Sequence, residues 1–112
     1  MQYLLFIATD TDPERDDPES ELTIEQWVAK HDASGTRVLG ERLRPPEDAT
    51  TVRKRAGKVL ATDGPFAESR EWIAGFDLIE CADLDDAIAV AAEHPMARHG
   101  RIEVRPLWPD DE

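Results

Sequence analysis

The sequence predicts an α+β domain on the ferredoxin-like βαββαβ plan, with an inserted β-hairpin, two copies of which close into a dimeric α/β barrel. Three observations carry this. First, segments of strand character and two segments of helical periodicity run in the order strand, helix, strand, hairpin, strand, helix, strand. Second, "QYLLFIA" (2–8) and "EWIAGFDLIEC" (71–81) are apolar on both faces, as central strands of a covered sheet are. Third, a 112-residue chain that is 40% hydrophobic makes one core, and two helices cover only one face of its sheet. Large apolar groups on the other face then call for a second copy.

The elements follow in order. In the first strand Tyr3, Leu5 and Ile7 point one way, and Leu4, Phe6 and Ala8 the other. In "LTIEQWVAKHDASG", Thr23 and Gln26 form a capping box and Leu22 and Trp27 stand at staple positions. Ile24, Trp27, Val28 and His31 share one helical face, and Gly35 closes the helix. "TRVLGERL" (36–43) reads as a strand stopped by Pro45 and Pro46. "ATTVRKR" and "KVLAT", joined by Ala56 and Gly57, read as a hairpin. The strand over 71–81 follows. "DLDDAIAVAAEHP" is the second helix, with Asp83 as N-cap, a buried stripe of Leu84, Ala87, Ile88 and Ala91, and Pro95 as its stop. "GRIEVRPLW" is the last strand. Residues 1–108 form a single domain, and 109–112 a polar tail.

Charge narrows the function. Twenty-five Asp and Glu against thirteen Lys and Arg give a net charge of −12, which repels phosphate backbones and argues against nucleic-acid binding. "DTDPERDDPESE" (10–21) holds seven carboxylates but lacks the alternating spacing and fixed glycine of a calcium loop, so it reads as a solvated loop. Cys81 is the sole cysteine, which excludes an internal disulfide and a thiolate metal cluster. The opening residues have neither a basic leader nor an apolar run long enough to span a membrane, and the expectation is a cytoplasmic protein with no membrane association. Three histidines at no ligand spacing give no metal site, and nothing calls for a cofactor.

The chemistry-bearing residues gather around "TDGPFAESRE" (62–71). Pro65 has no N–H, so Asp63 cannot make the usual Asx-turn bond two residues on. Its carboxylate must cap the Phe66–Ala67 turn or turn outward as a base or ligand anchor. Gly64 permits the bend, and Glu68 falls in the first positions of the following turn. His94 ends the second helix, where the dipole favours its protonated form and an acid role is open to it. Against these roles stand a plain corner for Asp63 and a structural or solvent-facing histidine for His94. Trp72 and Phe76, alternating along one strand, make an apolar wall of a pocket or ordinary core. Glu41, Asp77, Glu103 and Arg105 are strand residues that would give a barrel its polar lining, or else structural ion pairs.

The "TDGPFAESRE" stretch resembles the signature of the YCII-related proteins of the DGPF type, bacterial proteins with a dimeric ferredoxin-like barrel. "MQYLLFIA", "GERLRPPEDATTVR", "GFDLIECADLDDAIAVAAEHP" and "IEVRPL" are similar to the family's opening strand, middle, second half and closing strand. The resemblance implies a homodimer joined through the open sheet face. Of activity the resemblance says little, and the reading of the residues themselves is a small organic ligand in the barrel, with weak acid/base enzymatic activity open to it. Asp63 would be the anchor or base and His94 the acid. Gly64, Phe66, Glu68, Trp72, Phe76, Glu103 and Arg105 would touch the ligand. The alternative it implies is a non-catalytic accessory or sensor tied to extracytoplasmic-function sigma factors. The His–Asp pair of the YciI branch does not carry over, because "ELTIEQW" has no histidine early in the first helix.

Overall fold

The computed structural model describes residues 1–14, 21–65 and 72–109. Among the described residues, six strands and three helices follow in the order β1 (Gln2–Thr9), α1 (Ile24–Ala33), β2 (Arg37–Arg42), β3 (Thr50–Arg55), β4 (Lys58–Asp63), β5 (Ile73–Glu80), α2 (Leu84–Ala92), α3 (Met96–His99) and β6 (Gly100–Pro106). A single 3-10 turn at Pro46–Asp48 leads into β3. The main sheet has the order β2-β5-β1-β6, all antiparallel, which is the order of the ferredoxin-like plan. β3 and β4 form a separate two-stranded ribbon. The central strands are β1 and β5, the two segments that are apolar on both faces.

Local chemistry accounts for the helix ends. Thr23 accepts from the Gln26 N–H and Gln26 Oε1 accepts from the Thr23 N–H, a reciprocal capping box. The Asp83 carboxylate caps α2 by accepting from the Asp86 N–H. Both helices lie on one face of the sheet, over Tyr3, Leu5, Ile7 and Ile79. Trp27 fills the space between the helices, fully buried, and its indole N–H donates to the Val90 carbonyl at 2.9 Å.

The inward face of α2 differs from the expected stripe. Ala87, Val90 and Ala91 are buried, whereas Leu84 and Ile88 are exposed. The bulk of Trp27 explains this. A helix meeting an indole closely must present its small residues there, and the larger pair rotates outward. The short α3 helix leads into β6 and carries His99, whose Nδ1 lies 2.8 Å from the Glu14 carbonyl.

The far face of the sheet carries Leu4, Phe6 and Ala8 from β1, opposite Leu78, Phe76 and Ile73 of β5. A bulge between Ile7 and Ala8 sets Ile73, not Ala74, against Ala8. The strict alternation that would put Trp72 and Phe76 on one face is therefore broken between them. Among the described residues, no helix is long and apolar enough to cross a membrane.

Candidate functional site

A cavity of about 860 Å³ opens between α1 and the β2–β5 edge of the sheet, on the helix-covered side. That volume suits a small organic molecule. Ile24, Val28 and Ala29 of α1 form one wall and Ile7 and Met96 lie deeper. Arg37, Gly40 and Asp77 form the floor, and His94 closes one end.

The floor is an ion pair built across two strands. Arg37 Nε donates to Asp77 Oδ1 at 2.8 Å, its Nη1 to Asp32 Oδ1 at 3.0 Å, and its Nη2 to the Gly40 carbonyl at 3.0 Å. The guanidinium is thus committed on all sides to the protein. Burial raises the Asp77 carboxyl above the usual carboxylate range, by more than Arg37 beside it draws it down. Gly40 is required here. A Cβ at that position would stand 1.9 Å from Asp77 Oδ1 and 2.8 Å from Arg37 Nη2.

His94 differs from the helix-end histidine expected from sequence. It is 4% exposed, and burial pushes its imidazole down to about 4. Loss of water around the charged ring outweighs the helix-end dipole, which is worth at most about 2 kcal/mol. The ring meets Trp27 edge-on, with centroids 4.7 Å apart. Nδ1 accepts from the Met96 N–H at 3.0 Å, which places the proton of the neutral ring on Nε2. Nε2 has no hydrogen-bond partner among the described residues. His31 is also buried and in ring contact with Trp27, and its Nε2 lies 3.3 Å from Glu93 Oε1 without hydrogen-bond alignment.

The other expected site residues, Glu41 and Phe76 apart, fall elsewhere. Asp63 ends β4 opposite Thr50, is exposed, and does not line the cavity with His94. Gly64 is held at the base of the ribbon, its N–H donating to the Ala49 carbonyl at 2.7 Å and its carbonyl accepting from Thr51 Oγ1 at 2.7 Å. Phe66 and Glu68, and the turn that Asp63 was expected to cap, lie outside the described residues. Trp72 is exposed and bonds through its backbone to Thr9. Phe76 of β5 and Glu41 of β2 are among the residues around the cavity. Glu103 and Arg105 pair with each other at 3.4 Å on the far sheet face, apart from Asp77, which faces the helices. Arg37, Gly40 and Met96 were missed in the sequence. The one available signal was a glycine within an otherwise regular strand, which marks a close approach. Among the described residues, no group of three or more His, Cys, Asp or Glu could hold a metal ion.

A model of the YCII-related domain matches residues 1–110. The chain belongs to the YCII-related family. This YCII-related chain is also 47% identical over 68 residues to uncharacterized protein R00369 of Rhizobium meliloti (strain 1021). The match covers 59% of this chain and 55% of that relative, so the YCII-related chain spans about half the length of the curated relative it matches.

Proposed function

We propose that this chain binds a small organic molecule in the cleft between α1 and the β2–β5 edge, with His94 Nε2–H as the donor that orients it. The supporting observation is a buried imidazole that lines the cavity with Nε2 unpartnered among the described residues. Around it Ile24, Val28 and Ala29 make an aliphatic wall, and each nitrogen of the guanidinium on the floor already donates to the protein. A ligand therefore gains apolar burial from the walls and one directed bond from His94.

Binding is better supported than acid/base catalysis. With the imidazole pushed down to about 4, only about one molecule in a thousand carries the imidazolium at neutral pH. A general acid works best when it is populated near the working pH. Screening small neutral organic molecules by thermal shift tests the reading. A binder should raise the melting temperature of the native chain, and Ala29→Trp, which blocks the cleft from an exposed helix position, should remove that rise. An unchanged rise in Ala29→Trp would place the ligand elsewhere.

We also infer that a second copy of the chain covers the far sheet face, completing a dimeric barrel. The apolar row of Leu4, Phe6, Ala8, Ile73, Phe76 and Leu78 on that face supports it. Equilibrium sedimentation that finds only monomer at about 100 µM, far above the dissociation constant of a stable dimer, would refute it.

A further inference from the structure

The β3–β4 ribbon is an arm. It has two strands, joins no other strand, and packs on no other element to any extent among the described residues. At its base the ribbon is closed on itself, by Gly64 N–H donating to the Ala49 carbonyl and Thr51 Oγ1 donating to the Gly64 carbonyl. The radius of gyration is 16.3 Å, against about 13 Å for a compact domain of this length. A lone two-stranded hairpin is at best marginally stable in water. Yet this one carries apolar side chains into solvent. Val52 pairs with Ala61, and Val59 stands on the same face, with Val52 64% and Val59 66% exposed.

The arm's charge is opposite to that of the rest of the chain. Arg53, Lys54, Arg55 and Lys58 crowd its tip, four of the thirteen basic residues. With those four set aside, the formal net charge of −12 becomes −16. A cationic tip on an apolar ribbon thus fits the chain's own acidic surface, and the two are held apart within one copy.

Area gives a second argument. Four strands about 4.8 Å apart and about 23 Å long present roughly 450 Å² of flat sheet, about half of the ~800 Å² per partner in a standard interface. The open sheet face needs further contact to hold a dimer. The arm supplies a second apolar face for it.

We propose that the β3–β4 arm clasps a second copy of this chain. The Val52, Ala61 and Val59 face packs on the partner, and the cationic tip lies against the partner's acidic surface. Two-fold symmetry makes the clasp reciprocal. The proposal rests on the sheet-face dimer inferred above and adds the arm as the element that holds it.

The test uses the full chain and its V52D/V59D variant. Both positions are exposed within one copy, so the variant should keep the native far-ultraviolet spectrum. Its dimer dissociation constant should rise roughly 100-fold in sedimentation equilibrium. A second reading is tryptic cleavage at the arm's Arg and Lys residues. Cleavage of the native chain should slow about tenfold as the chain is raised from well below to well above its dissociation constant. A native chain that stays monomeric overturns both the sheet-face dimer and the clasp. A native dimer with an unchanged constant in V52D/V59D, or with cleavage independent of concentration, overturns the clasp alone.

Discussion

The imidazole of His94 meets the indole of Trp27 edge-on, with ring centroids 4.7 Å apart and ring planes at 68°. This contact buries a titratable group at one end of the cavity, and it ties the packing between the helices to the protonation of the site.

The first prediction is a pH dependence of stability. In the unfolded chain His94 takes up a proton below its ordinary value of 6.5, but in the folded chain only below about 4. The unfolded state therefore binds more protons between those values. The contribution is fully present above 6.5, is lost as pH falls towards 4, and amounts to about 3 kcal/mol. Urea unfolding of His94→Gln should show a shallower loss of stability across that window than the native chain. Parallel curves would show that His94 titrates normally.

The second concerns the cavity floor. Arg37→Met leaves the buried Asp77 carboxylate without its cation and should cost about 3 kcal/mol. Asp77→Asn in the same chain should recover part of that loss. A double-mutant cycle with no coupling would show the pair to be incidental.

The third concerns Trp27. Trp27→Phe keeps an aromatic ring but leaves the Val90 carbonyl without its indole donor, at a cost of about 1–3 kcal/mol. In the native chain the indole N–H proton should exchange only on opening of the helix pair, as nuclear magnetic resonance can follow. Exchange within the dead time of the measurement would contradict the buried bond.

The fourth concerns Cys81. Burial, aided by the Asp86 carboxylate, pushes its thiol up to about 11. Little thiolate exists at neutral pH, and disulfide reagents should modify the native chain slowly, at a rate that rises steeply with urea. Immediate stoichiometric labelling without denaturant would refute this placement.

Much of the fold could be read from local signals. The Thr23–Gln26 capping box, the Asp83 cap and the Ala56–Gly57 hairpin turn are each set by neighbours a few residues apart. The two-sided apolarity of β1 and β5 correctly marked the centre of the sheet. The site was harder to read. Arg37 and Asp77 are forty residues apart and meet only because β2 pairs with β5. Helix position pointed to a charged His94, but burial beside Trp27 decided otherwise. The bulge at β5 breaks the alternation from which Trp72 and Phe76 were assigned to one wall. Each of these depends on packing between distant segments, which spacing along the chain does not encode.

The sheet order also has a consequence for how the chain is made. Strand β1 lies between β5 and β6, so its partners are residues 73–80 and 100–106. During synthesis both of its hydrogen-bonding edges stay open until β5 has left the ribosome, and the second stays open until β6 has followed. Such long-range pairing closes late and slowly. The apolar segment around Leu4, Leu5 and Phe6 is then the stretch most in need of a chaperone, and a nascent chain stalled before β5 would present it as an unpaired strand.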